Sequence, residues 1–471
     1  MTKLSIKDSL FLIHIYKSLM LIDTQTNSYL LYPQKGVYYI HPELLRELKK
    51  KNSTVSYYRK KLEMLELNGF LRSRNIKLNA NFKAETLIEA FSNTLCIDFE
   101  VTDRCNLNCY YCAYGKFYNN ESIRGDSDID IKKAIIFLNY VVDYLNSQYN
   151  TLVNKPIYIG FYGGEPLMNF EVIKEITNYS KNIKLKNGNY FKYLMTTNGI
   201  LLDKYKDFLA ENDFRLTVSL DGNKEHNSYR KFQNEADSYN IVYNNVNSLR
   251  RDHPSYFENS VFFHSVLHDK NDIDGILNFF YKEFSKRPII SYMSETGLNE
   301  DYLDEFNEHF YQESNSSPEI NECNRFLRNY GNIIHNDYYE LFVISDYSYF
   351  LPTGTCMPFS RRCYLTVNSK ILPCERISEK HAMGFVDNKK VHLDFENIAD
   401  RINTYYSEIF KQCKQCINIF NCTQCIFRLP FYKDSPICRE SESNRENIEK
   451  MNRILTELER DTSKIKQILE K

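Results

Sequence analysis

The sequence predicts an α/β chain whose middle is a partial (β/α)6 barrel, with a small winged-helix-like domain before it and a cysteine-rich domain after it. Three observations carry this reading. Residues 94 to about 295 alternate between short apolar β-like runs and amphipathic helical stretches, the pattern of a parallel sheet that curls on itself. Of thirteen cysteines, three stand directly behind the first of those strands and eight fall between Cys356 and Cys438. Residues 8 to about 85 combine strands with a compact helix pair, as a separate unit would.

Composition narrows the function classes. A length of 471 residues allows about three domains. A net charge of −1 argues against a general nucleic-acid or membrane-surface binder. No apolar run approaches the thickness of a bilayer, and the opening stretch MTKLSIKDSLFLIHIY lacks a signal-peptide cleavage pattern. The expectation is a cytoplasmic protein with neither membrane nor nucleic-acid partner. In a reducing compartment thirteen cysteines point to metal rather than disulfides. The 37 Tyr and 31 Phe beside no Trp read as compositional bias, not as a site.

Along the chain, β-like runs Leu10 to Tyr16, Met20 to Asp23 and Ser28 to Tyr32 precede two helical stretches, His41 to Lys51 and Val55 to Asn68. Leu44, Leu45 and Leu48, then Leu62, Leu65 and Leu67, form their apolar faces. Gly69 caps the second helix and Phe70-Leu71 begins another strand. A winged helix most often suggests DNA, but this one has no concentrated basic face. A packing appendage that binds nothing is the plainer alternative.

Barrel strands are expected near 95–101, 156–162, 191–197, 214–220, 260–267 and 288–293, with helices among them over 129–145, 170–182 and 273–284. In such folds the chemistry sits at the C-terminal ends of the strands. Behind the first strand comes VTDRCNLNCYYCAYG, Val101 to Gly115, in which Cys105, Cys109 and Cys112 form C-x3-C-x2-C. Three thiolates on one loop can hold three irons of a 4Fe–4S cubane and leave the fourth iron open. Zinc usually takes four ligands from paired C-x2-C units, so an odd triad suits it poorly. The next three strands end in Gly163-Gly164-Glu165-Pro166-Leu167, Thr196-Thr197-Asn198-Gly199 and Ser219-Leu220-Asp221-Gly222. Any one of these turns is weak information, because turns prefer such residues anyway.

With Tyr111 ahead of the third cysteine and the three turns following in this order, the stretch resembles the radical S-adenosylmethionine enzymes. The resemblance implies a 4Fe–4S cluster on Cys105, Cys109 and Cys112 whose open iron chelates S-adenosylmethionine. It implies a cofactor cradle of Tyr111, Gly163, Gly164, Glu165, Thr197, Asn198, Ser219, Asp221 and Arg230. In it Gly163, Gly164 and Glu165 hold the methionyl amine, while Ser219 and Arg230 hold its carboxylate. The run from Ser219 to Arg230 is one residue shorter than is usual. Cys96 and Cys323, standing alone, read as buried small hydrophobes.

The eight later cysteines are enough for two fully ligated 4Fe–4S clusters. Read alone, the C-x2-C pairs 413/416 and 422/425 also suit one zinc ribbon. The whole pattern resembles the SPASM domain of radical enzymes that modify peptides and proteins. That resemblance assigns one auxiliary cluster to Cys356, Cys363, Cys374 and Cys425 and the other to Cys413, Cys416, Cys422 and Cys438. The spacing C-x2-C-x5-C-x2-C is one short of the common form in its last gap. Glu375, directly after Cys374, stands where relatives that mature sulfatases keep an acidic base; a solvated Glu beside Arg376 is the plainer alternative.

Joined to the triad, residues 1–90 resemble the small domains by which peptide-maturing enzymes capture a leader peptide as an added strand, ahead of DNA binding. The chain then divides into this leader-recognition domain (1–90), a radical S-adenosylmethionine barrel (91–295), a helical bridge (296–350), a SPASM domain (351–440) and a C-terminal helix (441–471). In that helix Ile448, Met451, Leu455 and Leu458 fall at helical spacing. The resemblance implies an enzyme that cross-links a ribosomally made precursor peptide through a 5′-deoxyadenosyl radical, forming a thioether or carbon–carbon bond. An electron donor such as flavodoxin or ferredoxin would reduce it. Formylglycine formation on a sulfatase and peptide epimerisation are the enzyme alternatives. A zinc-ribbon, winged-helix nucleic-acid binder is the alternative from another class. Metal analysis separates them, with about twelve irons per chain on the cluster reading.

Overall fold

The structure is a computed structural model that describes residues 20–23, 28–32, 36–39, 81–118, 125–293, 298–310, 356–413, 416, 422, 424–432 and 435–438, with single helical positions within 57–67 and 449–460. The chain divides into two compact units, one of residues 81–312 and 356–403, the other of 1–80, 313–355 and 404–471.

In the unit that holds the N-terminus, strands β1 (Met20–Asp23), β2 (Ser28–Tyr32) and β3 (Gly36–Tyr39) form an antiparallel sheet in that order. Met20 stands opposite Leu31, and Tyr29 opposite Tyr39. The first two strands coincide with expected runs, whereas β3 has no counterpart among them. Residues 57, 60, 64 and 67 are helical within the expected Val55 to Asn68 stretch. The runs Leu10 to Tyr16 and His41 to Lys51, and Cys323, lie outside the described residues.

The larger unit is built on strands β4 (Cys96–Thr102), β5 (Pro156–Gly163), β6 (Tyr190–Thr197), β7 (Arg215–Ser219), β8 (Val261–Val266) and β9 (Ile289–Ser291). They pair in parallel in sequence order, as six alternations predict. Helix α1 (Ala84–Ser92) precedes β4. Helices α2 (Ile131–Leu145), α3 (Phe170–Ser180), α4 (Leu202–Glu211), α5 (Tyr239–Asp252), α6 (Pro254–Ser260) and α7 (Ile273–Phe284) lie between the strands. Local chemistry sets their ends. Asp130 accepts from the Lys132 amide at 2.9 Å to start α2, and Asp272 caps α7 through the Gly275 amide at 2.7 Å. On α2 the buried residues Ala134, Phe137, Leu138, Val141, Val142 and Leu145 recur at i, i+3, i+4 and so form one stripe.

Every residue of β4 is buried. Its side chains alternate between two faces. Phe99 meets the Phe137 ring of α2 at 6.0 Å, so Ile97, Phe99 and Val101 face the helices and Asp98, Glu100 and Thr102 face away from them, inward. Two acidic residues at period two in an otherwise apolar strand thus point into the barrel.

The sheet does not end at β4. Strand β10 (Cys363–Leu365) pairs with it in parallel, Cys363 opposite Ile97 and Tyr364 opposite Asp98. An antiparallel meander of β11 (Lys370–Leu372), β12 (Gly384–Val386) and β13 (Val391–Leu393) follows, giving a ten-stranded sheet. Helix α8 (Leu303–Phe310) lies within the expected bridge, and helix α9 (Phe395–Cys413) ends at a cysteine. In the unit that takes in 404–471, strands β14 (Phe431–Tyr432) and β15 (Ser435–Pro436) pair, and Met451 and Leu455 are buried at helical positions. Ile448 and Leu458 lie outside the described residues. Among the described residues no helix is long and apolar enough to cross a membrane.

Candidate functional site

The loop with the cysteine triad leaves the C-terminal end of β4 and is held by backbone from a distant turn. The Asn108 amide donates to the Lys231 carbonyl at 2.7 Å and the Tyr110 amide to the Tyr229 carbonyl at 3.0 Å. Within the loop the Cys112 amide donates to the Cys109 carbonyl at 3.0 Å, and the Gly115 amide to the Cys112 carbonyl at 2.8 Å. These turns curl the three cysteines toward one another. Tyr111, Phe117, Tyr229, Val266, Phe306 and Phe310 form a buried cluster behind the loop, which brings α8 against it. The Tyr110 hydroxyl donates to Glu305 of α8.

Next to the loop, the turn after β5 runs against the loop's own backbone. Gly163 has φ +144°, and a Cβ there would lie 2.0 Å from the Thr102 carbonyl oxygen. A Cβ on Gly164 would lie 2.2 Å from the Arg104 carbonyl oxygen. Only glycine lets the two turns touch. Glu165 is buried and accepts from the Thr197 hydroxyl at 2.7 Å, the Asn198 amide at 2.7 Å and the Leu167 amide at 3.2 Å. It therefore ties the turn after β5 to the turn after β6. Asn198 carries the tie on to the cysteines, its Nδ2 lying 2.7 Å from Asn106 Oδ1 and 3.8 Å from Cys105 Sγ.

On the other flank Asp221 and Arg230 form a buried bidentate pair, Nε to Oδ2 and Nη2 to Oδ1 both at 3.0 Å. Asp221 Oδ1 also accepts from the Val266 amide at 2.9 Å, and Oδ2 accepts from the Tyr111 hydroxyl. The guanidinium stands 5.3 Å from the centre of the Tyr111 ring. Burial works to lower the Arg230 pKa, but Asp221, with Tyr111 and Cys109, carries it above the usual guanidinium value. Burial pushes the Cys109 thiol up to about 12, against the pull of Arg230. Ser219 is half-buried at the end of β7, opposite His264 of β8.

The donor set fits an iron–sulfur cubane with an open iron. Three thiols share one loop, an amide and a guanidinium lie near their sulfurs, and two glycines keep the adjoining backbone free of side chains. Among the described residues no three His, Cys, Asp or Glu side chains close to the spacing of a single metal ion. A cubane spreads its cysteines over separate irons and does not ask for that spacing.

The later cysteines divide. Cys363 is buried in β10, its thiol 3.7 Å from the Cys96 carbonyl, and Cys374 follows β11 with Glu375 Oε2 at 3.3 Å from its sulfur. Cys356 is exposed. These three belong to the barrel's unit, and Cys425 to the other. Cys413 is buried at the end of α9, and burial pushes its thiol up to about 12, with Cys422, Cys416 and Cys438 adding to the rise. The Cys416 amide donates to the Cys413 carbonyl at 3.1 Å, and the Cys438 amide to Gln412 beside it at 2.9 Å, so Cys416 and Cys438 lie next to Cys413. Cys96 is buried, as expected, but its thiol donates to Asp98 Oδ1 at 3.0 Å, and so does more than fill space.

Sequence reasoning passes over two groups. The first is the pairing of Asp221 with Arg230. The second is a set of Arg362 and Tyr162 around Glu375, built on the buried Asp98, in which Arg362 Nη1 lies 2.7 Å from Glu375 Oε2. The signal for Asp98 was present in CIDFEVT, where an acidic residue interrupts a buried strand. No sequence signal sets Arg362 apart from Arg361.

Comparison with known proteins fits this geometry. The profile of the Radical SAM superfamily matches residues 99–280. The chain is 30% identical over 185 residues to a cysteine-type anaerobic sulfatase-maturating enzyme of Clostridium novyi, covering 39% of this chain and 46% of that protein. It is 26% identical over 223 residues to the radical SAM cyclopropyl synthase TigE of Paramaledivibacter caminithermalis, covering 43% and 46%. The chain thus spans a little under half the length of each of these curated relatives. Among solved structures, Streptococcus suis SuiB bound to S-adenosylmethionine aligns over 88% of this chain and 99% of that one, at 14% identity and a TM-score of 0.40. With the triad, the glycine turn and the pair at Asp221 all inside the matched stretch, residues 99–280 are a radical S-adenosylmethionine domain.

Proposed function

We propose that the protein is a peptide-modifying radical S-adenosylmethionine enzyme that oxidatively cross-links a ribosomally made precursor, with two auxiliary clusters in a SPASM-type region and residues 1–90 reading the leader. The observation that carries the reading is the second gathering of cysteines, Cys422, Cys416 and Cys438 around Cys413, in a chain that already has a complete triad at residues 105–112. An oxidative cross-link removes two hydrogens from the substrate, one as an atom and one as a proton plus an electron. A second iron–sulfur site suits the electron. The antiparallel sheet β1–β3 supports leader capture, since a sheet edge can take an extended peptide as a further strand. Similarity to a cyclopropyl synthase and to sulfatase maturases supports a peptide or protein substrate.

When bound, the cluster and S-adenosylmethionine would supply hydrogen-abstracting radical chemistry, and an auxiliary cluster would supply a sink for one electron. The chain's own residues do the rest. Cys105, Cys109 and Cys112 would hold three irons, and the backbone at Gly163 and Gly164, with Glu165 behind it, would receive the methionyl ammonium. Ser219 and Arg230 would take the methionyl carboxylate, Arg230 being oriented by Asp221 through Nε and Nη2. Glu375 accepts the substrate proton.

The test is the intact mass of the short peptide encoded beside this gene after anaerobic co-expression. Loss of two hydrogens per event is the expected result, and fragmentation then locates the bond. An unchanged mass without deuterium uptake from solvent overturns the reading. Formylglycine formation on a protein is a second reading, favoured by the match to the sulfatase-maturating enzyme. Aldehyde labelling of a co-expressed sulfatase distinguishes it.

A further inference from the structure

The barrel floor contains a polar set around the buried Asp98 that the reading above leaves without a task. Asp98 on β4 has no exposed surface and lies level with Gly160 on β5 and Tyr364 on β10. A Cβ on Gly160 would come within 1.9 Å of Asp98 Oδ1, so the glycine makes room for the carboxylate. Oδ1 accepts from the Cys96 thiol at 3.0 Å. Oδ2 takes no hydrogen bond and is faced by Arg362 Nη1 at 3.3 Å. The same Nη1 lies 2.7 Å from Glu375 Oε2 and 3.4 Å from the Tyr162 hydroxyl oxygen. One cation therefore stands between two carboxylates, one at the floor of the barrel and one beside a cysteine of the sheet extension.

We propose that Arg362 is the positioning residue of Glu375, holding its Oε2 from the barrel side so that Oε1 is the oxygen presented to substrate. This rests on the reading of Glu375 as the substrate's base. Three physical points support it. A buried carboxylate such as Asp98 needs compensation, and without Arg362 the structure would leave Asp98 and Glu375 facing each other. Cys374 Sγ touches the same Oε2 at 3.3 Å, but a cluster ligand is a thiolate with no proton to give. The guanidinium is then what fixes that oxygen. Oε1 is approached at 3.5 Å by Arg376, whose side chain is 74% exposed and can swing aside for a substrate.

The experiment compares full-length reconstituted wild type with R362Q, R362K, E375Q and the double variant R362Q/E375Q. For each, iron content, 5′-deoxyadenosine formed and cross-linked co-encoded peptide are measured. Carbodiimide labelling of Glu375, read by peptide mapping against exposed Glu89, reports the carboxylate without any turnover. E375Q is expected to lower product per 5′-deoxyadenosine by about a hundredfold, the lower range for a positioned base, and R362Q by about tenfold. R362K should recover part of that loss, because a single nitrogen makes the contact. The double variant should be no worse than E375Q alone, since a residue acting through Glu375 has no effect left to exert. R362Q should raise labelling of Glu375 but not of Glu89.

Additive losses in the double variant, or loss of iron in both R362Q and R362K, would make Arg362 a structural residue and overturn the proposal. Unchanged labelling of Glu375 in R362Q would overturn it also. Full product from E375Q would instead bring down the base reading itself.

Discussion

The two places where cysteines gather are built differently. Cys105, Cys109 and Cys112 share eight consecutive residues, 105–112, and backbone hydrogen bonds from Lys231 and Tyr229 clamp the loop between them. The Tyr111 hydroxyl, Asp221 and Arg230 brace it from behind. Cys413, Cys416, Cys422 and Cys438 come instead from a helix end and from positions up to 25 residues further along the chain. One side chain joins the extremes: Gln412 donates to the Pro436 carbonyl at 3.1 Å and accepts from the Cys438 amide at 2.9 Å. The first site is shaped by protein before metal arrives. If the second holds the auxiliary cluster proposed for it, metal binding there would contribute much of the folding energy.

That contrast can be broken or sharpened by substitution. The largest effect is expected from replacing Cys105, Cys109 and Cys112 together with Ala. Cleavage of S-adenosylmethionine should fall to background and iron by about four per chain, while the circular dichroism spectrum stays that of the native barrel. Persistent cleavage would sink the mechanism. Asp221→Asn comes next. It strips a buried guanidinium of its partner, which should cost about 3–5 kcal/mol in denaturant unfolding and weaken S-adenosylmethionine cleavage in step. A smaller cost would mean that the brace behind the triad is not what shapes it.

Replacing Cys413 and Cys416 with Ala should act on the other site alone. About four irons per chain should be lost and limited proteolysis should cut within 413–438, with cleavage of S-adenosylmethionine retained and cross-linked product absent. If proteolysis is unchanged, that region folds without its metal and the contrast fails. The smallest effect belongs to Gln412→Ala, about 1 kcal/mol for lost hydrogen bonds, seen as earlier release of iron from the second site under a chelator.

Most of the barrel was legible from the chain because each strand is a short apolar run closed by a turn residue, and each helix carries an apolar stripe. The cysteine triad and the turns at Gly163, Thr196 and Ser219 were legible because their residue types are dictated by metal and by close backbone approach. Strands β10 to β13 were not, since three-residue strands carry too little periodicity to register. The turn at Asn368-Ser369, with Ser369 at φ +62°, was the available hint of a hairpin. The spacing marks Arg230 as a candidate ligand for a carboxylate, but it does not reveal that Asp221 engages its Nε and Nη2. Pairing of that kind depends on which side chains converge after folding, and spacing along the chain does not encode it. The same holds for Arg362 and Glu375, which meet because β10 and β11 turn back on each other.

The pairing of β10 with β4 has a consequence for synthesis. Cys363 and Cys96, which meet across that seam, are 267 residues apart. At ribosomal speeds of about 5–20 residues per second, the first barrel strand emerges on the order of 10 to 50 s before its second neighbour exists. During that interval one edge of a strand that ends up fully buried has no partner from its own sheet, and such edges invite pairing with other chains. Expression yield should therefore depend on chaperone supply and on translation speed between the two strands. Slower codons after residue 365 would cost little, and slower codons before it would lengthen the exposure.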